Sequence, residues 1–201
     1  LKFSSFHKCK GVIMDVKERI IGATIEEFNE KGIKFTMDSL AKRLSMSKKT
    51  LYSVFANKET LLRETVSCGF GDIKAAERKI LEDDTLDVVD KLRRIIIVLP
   101  DKYQAIDFRK LSTLKGKYPD IYYEIASKIE GGWEPVFELF NQAIAEGKVK
   151  NVNLYVIKSI ISGAMENFIS TEELSEHQVE YGEALEILIN VVMDGIVVKG
   201  E

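Results

Sequence analysis

The stretch Ser45–Leu61, SMSKKTLYSVFANKETL, decides how this chain is read. Ser47 offers the hydroxyl that an N-cap uses, and a short helix running to Phe55 is predicted behind it. At 3.6 residues per turn, Leu51, Val54 and Phe55 fall on one face, while Lys48, Lys49, Tyr52 and Ser53 fall on the other. Asn57 then caps a further helix that opens KETLL and is predicted to reach about Glu82. A core helix has no use for two adjacent lysines, so the basic, hydroxyl-bearing face is either a solvated one or turned to a partner outside the chain.

The residues just before this stretch complete a unit. Val16, Ile20, Ala23, Thr24 and Phe28 repeat at helical spacing and predict a first helix over 15–31, closed by Gly32. Thr36 is the N-cap of a second, whose apolar face is Met37, Leu40, Ala41 and Leu44. Ser45–Ser47 is then a tight turn between two short helices. A pair of this form lays its second helix in the DNA major groove, which is wide enough to admit it. Ser47 and Thr50 stand near the N-terminal end of that helix, where hydroxyls suit phosphate oxygens. Lys58 opens the next helix, a place unfavourable to a cation in the helix dipole, and an external phosphate would account for it.

These residues resemble a known family. KERIIGATIEEFNEKGIKFTMDSLAKRLSMSKKTLYSVFANKETLL is similar to the N-terminal domain of the tetracycline-repressor (TetR) family of bacterial transcriptional regulators. Ala23, Phe28, Gly32, Thr36–Met37, Ala41, Ser47–Lys48, Thr50–Tyr52, Phe55 and Asn57–Glu59 carry the likeness, over about 17–65. The resemblance implies an all-α protein with a three-helix DNA-binding head at 14–60 and a ligand-binding, dimerising helical body at 61–201. It implies DNA contacts from Thr36, Ser47, Lys48, Lys49, Thr50, Tyr52, Ser53 and Lys58. Lys49, Ser45–Met46 and Val54 depart from the usual family residues and bear on which operator is read.

The rest of the chain repeats at helical spacing, with helices predicted near 85–99, 101–115, 119–146 (interrupted at Glu130–Pro135), 152–172 and 176–198. For a family member, some of the body's large apolar side chains should line a ligand cavity; Tyr103, Phe108, Tyr122, Trp133, Met165 and Phe168 are the candidates. The last two long helices should form a four-helix dimer interface. On them Val156, Ile160, Gly163, Ala164 and Asn167 share one face, and Tyr181, Ala184, Leu185, Leu188 and Val192 another.

Bulk properties fit this division. The chain has 201 residues and a net charge of −3, yet residues 1–60 carry +5 and the remainder −8. A basic head on an acidic body places the polyanion at the head. The body's charge and aromatics favour an apolar or cationic effector. No apolar run approaches the length of a membrane span, and two cysteines make no disulfide framework, so the reducing cytoplasm is expected. No nucleophile motif or glycine-rich phosphate loop argues for an enzyme, and no metal or other cofactor is expected. Leu1–Ile13 is read as upstream sequence before a natural start at Met14. The rival reading is a basic arm of Lys2, Lys8 and Lys10 that reaches the minor groove.

The expected function is therefore a ligand-responsive homodimeric repressor of a palindromic operator on double-stranded DNA. The alternatives are an adaptor or small-molecule-binding protein that keeps the head without operator recognition, and an activator or global regulator.

Overall fold

In a computed structural model of the protein, residues 15–198 are described apart from 105, 107 and 172, with the backbone alone at 109 and 175. The readings of residues 1–13 and of Met14 lie outside the described residues. The described chain is helical throughout: α1 (Val16–Lys31), a 3-10 turn (Gly32–Lys34), α2 (Met37–Arg43), α3 (Lys48–Val54) and α4 (Lys58–Leu81). These are followed by α5 (Val88–Ile96), α6 (Asp101–Gln104), a 3-10 segment (Phe108–Thr113), α7 (Leu114–Lys117) and α8 (Pro119–Glu130). The last four are α9 (Glu134–Ala145), α10 (Leu154–Ser170), α11 (Glu173–Glu176) and α12 (Tyr181–Ile196).

The caps explain why the head's boundaries match the sequence. The Thr36 side chain accepts from the Ser39 N–H while Ser39 Oγ accepts from the Thr36 N–H, a reciprocal capping box at 3.0 and 3.1 Å. Ser47 caps α3 through the Thr50 N–H, and Asn57 caps α4 through the Thr60 N–H. Gly32 closes α1 at φ +56°, a left-handed conformation that suits glycine.

The body departs from its prediction where tertiary contacts outweigh local propensity. The helix predicted over 101–115 is instead α6, a 3-10 segment and α7 in succession. Tyr103 is drawn to α4, donating its hydroxyl to Asp72, and Phe108 stacks on Tyr181 with ring centroids 4.5 Å apart. The helix predicted over 85–99 ends at Ile96, ahead of Pro100, whose ring disfavours the α conformation in the residue before it. The last helix begins at Tyr181 rather than 176, after Gln178 takes φ +57°.

Two cores hold the described residues together. The first joins Ile20, Leu40, Leu51 and Phe55 of the head to Leu61, Leu114, Ile121, Tyr122, Ile125 and Ile169 of the body. The second gathers Leu92, Phe140, Ile161, Ile189 and Met193. Head and body therefore share a core, and the expected division at 60/61 falls inside α4. Val54, expected on the inner face of α3, is 37% exposed while Leu51 and Phe55 are buried. Phe55 lies beyond the helix in extended backbone, so helical spacing from Leu51 no longer fixes which of the two turns inward.

Candidate nucleic-acid interface and body cavity

The outer surface of α3 is built as expected on its exposed side. Lys49, Tyr52 and Ser53 are exposed, with Tyr52 at 46%. Lys48 is also exposed but rests its ammonium 2.6 Å from Asp38 of α2, an exposed pair that competing ions or phosphates displace at little cost. The hydroxyls of Ser47 and Thr50 lie 2.8 Å apart, and Ser53 Oγ donates to the Thr50 carbonyl.

Thr36, Tyr52 and Lys58 come together. They line one groove at the junction of head and body, with Lys34, Asp38, Lys117 and Tyr118. Within it, the Lys58 ammonium donates to the Ile33 and Phe35 carbonyls, each at 2.5 Å, and lies 3.9 Å from the centroid of the Phe35 ring. These internal acceptors already account for a lysine at the start of α4, so an external phosphate is not required to explain it. Burial, and secondarily the charge of Lys117, pull the Lys58 ammonium down to about 8.

Sequence spacing did not reveal what locks α1 to α2. Glu27 is 1% exposed and accepts from Lys31, Ser39 Oγ and Arg43 Nε at 2.7, 2.6 and 2.7 Å. Burial alone would raise its carboxyl, but these three donors outweigh it and hold the group at about 2. Arg43 reaches Glu26 and Glu30 as well. The signal was present as acidic residues on α1 within reach of a basic end on α2, but helical charge patterns alone do not show which carboxylate turns inward.

Behind the head lies a cavity of about 250 Å³. Its wall includes Thr24, Ile25 and Phe28 of α1, and Leu62, Thr65, Val66, Gly69, Phe70 and Ile73 of α4. Four of the six expected residues line it: Tyr103, Phe108, Trp133 and Met165. Tyr122 does not, being packed in the first core with its hydroxyl buried and unpaired. Phe168 does not either; it sits edge-on to Tyr181, and Tyr181 takes the place at the wall. Burial pushes the Tyr181 phenol well above its usual range. Among the described residues, the charged ones of the lining are Lys74, Glu77 and Lys128. Lys74 pairs with Glu77 at 2.7 Å and also reaches the Gly132 carbonyl.

On the far side of the body, Tyr155, Val156 and Ile160 of α10 are exposed, as is Gly163. Ala164 is half-buried and Asn167 exposed on the same helix. The face expected on α12 is reversed. Ala184 and Leu185 are buried, Leu188 and Val192 pack on the second core, and Tyr181 is held against Phe108. The exposed apolar residues there are Ile187, 53% exposed, and Val191, 70% exposed. An apolar helix of this kind presents two hydrophobic faces, and sequence alone does not say which one the protomer keeps.

Residues 20–65 match the family model described as bacterial regulatory proteins, tetR family. A helix-turn-helix-type transcriptional regulator of Bacillus subtilis, YvaF, is 29% identical over 184 residues, covering 92% of this chain and 97% of the relative. Among solved structures, the fatty acid degradation regulator FadR of Bacillus halodurans superposes with a TM-score of 0.63 at 16% identity. That match covers 89% of this chain and 95% of the other. The TetR-family regulator PfmR of Thermus thermophilus gives 0.63 at 20% identity, covering 88% and 97%. At these identities the structural likeness is one of fold.

Proposed function

We propose that this chain, a transcriptional regulator of the tetR family and not an enzyme, is a homodimeric repressor that a small molecule releases from a palindromic operator in the cytoplasm. One observation carries the reading. α4 starts at the head, where Lys58 holds the Ile33 and Phe35 carbonyls, and then lines the cavity from Leu62 to Glu77. A molecule that enters the cavity therefore touches the helix on which the head is mounted, and α1 directly through Thr24, Ile25 and Phe28.

Each protomer offers Ser47, Lys48, Lys49, Thr50, Tyr52 and Ser53 of α3 and its cap to one major groove, with Thr36 and Lys58 toward the backbone. The partner covers Tyr155, Val156 and Ile160 of α10 with Ile187 and Val191 of α12, an apolar surface that soluble monomers seldom leave open. Two heads dock together only when their recognition helices stand roughly 34–36 Å apart, or at a multiple of one DNA turn. The effector changes affinity by favouring a different spacing, since a ligand shifts an equilibrium only by its unequal affinity for the two states.

The cavity favours an apolar effector. Since a cavity of about 150 Å³ accepts benzene, this one suits a molecule of roughly ten heavy atoms. Among the described residues, two lysines against one glutamate in the lining oppose the cationic effector expected from the body's net charge.

The direct test selects bound duplexes from a random pool, then measures affinity by fluorescence anisotropy. Replacing Lys48, Lys49 and Tyr52 together by Ala should cost at least a hundredfold on the selected site, as base contacts contribute about 1–3 kcal/mol each. Unchanged affinity in that triple variant would remove α3 from the DNA and leave the adaptor reading standing.

A further inference from the structure

We infer that the groove at the head–body junction is a second DNA-phosphate site, and that Lys117, a residue of the body, grips the backbone there beside Lys34 and Lys58. The inference rests on the DNA-binding reading above and extends it to a part of the chain outside the helix-turn-helix.

The groove brings together lysines from three separate elements. Lys34 comes from the 3-10 turn after α1, Lys58 from the first position of α4, and Lys117 from the last position of α7. Lys34 and Lys117 are exposed, and neither is paired with a carboxylate among the described residues. Lys117 lies 5.8 Å from the Tyr118 ring centroid, a weak contact that leaves the ammonium free to turn. Asp38, the acidic residue of the groove among those described, is occupied by Lys48. Three lysines thus line one concave surface, the Lys58 ammonium held on the Ile33 and Phe35 carbonyls and the Asp38 carboxylate engaged by Lys48.

Such an arrangement costs energy in the isolated protein, because like charges repel and one of the three is partly desolvated. The Lys58 ammonium registers that cost in its lowered affinity for a proton, part of which comes from Lys117. A phosphodiester oxygen relieves it. Thr36 and Tyr52 line the same groove, and both lie on elements that face the duplex if α3 enters the major groove. A backbone that passes over Tyr52 therefore passes within reach of Lys117.

The placement also joins two sites. Leu114, at the other end of the four-residue helix α7, is buried and lines the effector cavity. One helical turn thus carries an effector-facing residue at one end and a phosphate-facing residue at the other. A ligand that displaces Leu114 moves Lys117 relative to the DNA, without first moving α4.

Lys117→Ala tests this in the full-length protein on two duplexes, the selected operator and a scrambled one. Each neutralised phosphate contributes about 0.9 to the slope of log affinity against log salt. The variant should lose about threefold to tenfold on both duplexes alike, with its salt slope reduced by about 0.9 per protomer and its thermal midpoint unchanged. Lys117→Arg should restore the slope. If affinity and slope are unchanged while the Lys48, Lys49 and Tyr52 variant fails to bind, the phosphate role of Lys117 is overturned and the DNA reading survives. A loss confined to the operator would also overturn it, because a backbone contact does not distinguish sequences. If the triple variant binds normally as well, both readings fall.

Discussion

The head and the body treat empty space in opposite ways. In the head, Leu51 and Phe55 are sealed against Ile20, Leu40 and Leu61, and the polar cluster of Glu27 is satisfied by three donors. In the body, helices and turns, closed on one side by Thr24, Ile25 and Phe28 of α1, surround about 250 Å³ that side chains do not fill. A surface that reads DNA must be rigid, because a contact displaced by an ångström is lost. A site that receives a molecule must keep room for it at the expense of packing energy. The shared core between them means that the unfilled region presses on the rigid one.

The largest expected effect sharpens this contrast. Leu51→Ala should cost about 3–5 kcal/mol, since the site is fully enclosed and collapses poorly. Leu111→Ala, on the cavity wall and only half-buried, should cost about 1 kcal/mol because part of its surface already faces a void. Urea unfolding of the two variants compares them directly. Equal losses would mean that the cavity is closed in solution and that the contrast is wrong.

Glu27 comes next. Removing the buried carboxylate as Glu27→Ala should cost about 3 kcal/mol, at the low end for a broken buried pair because Arg43 keeps Glu26 and Glu30. The same group predicts a pH dependence. Its folded value of about 2 lies below the unfolded 4.5, so its contribution is fully present above about 4.5 and is lost as the pH falls toward 2. Acid titration of stability in the native chain and in Glu27→Gln should diverge in that window, and parallel curves would show that the lock is not there.

Lys58 stands between the two regions, and its effect is smaller. In the free protein it gives up its proton near 8, earlier than an ordinary lysine. Sign matters here: the cost of burying the charged form is present below about 8 and is relieved as the pH rises from 8 toward 10.5, so this group makes the free fold more stable in alkali. DNA binding moves the other way, because a phosphate requires the ammonium. Between about pH 7 and 9 operator affinity should fall by up to roughly tenfold through this residue. Lys58→Arg should flatten the profile, and a native profile that is already flat would confine Lys58 to its carbonyls.

The smallest effect tests the turn of the head. Ser45 has φ +52°, a left-handed conformation that costs a residue with a side chain about 1 kcal/mol. Ser45→Gly should raise the thermal midpoint by a few degrees without changing DNA affinity.

How much of this was legible follows the same division. The caps at Thr36, Ser47 and Asn57 act within three residues, so local rules placed α2, α3 and the start of α4. Tyr103, Phe108, Trp133 and Met165, picked from the body's many large apolar side chains, line the cavity, but Tyr122 and Phe168 were not separable from them by pattern alone. Which face of α12 turns inward depends on α10 and α5, and no pattern within Tyr181–Ile196 records that. The proposed place of Lys117 was invisible for the same reason: it lies near Lys58, 59 positions earlier.

The central claim is that cavity and operator are coupled, and the lone tryptophan reports on it because Trp133 lines the cavity. An apolar compound that shifts Trp133 emission can be titrated into the protein alone and into the protein saturated with operator. The account predicts that operator weakens the compound about fivefold to 150-fold, and that the compound weakens operator by the same factor. Equal affinities in the two titrations would contradict it, even with specific DNA binding established.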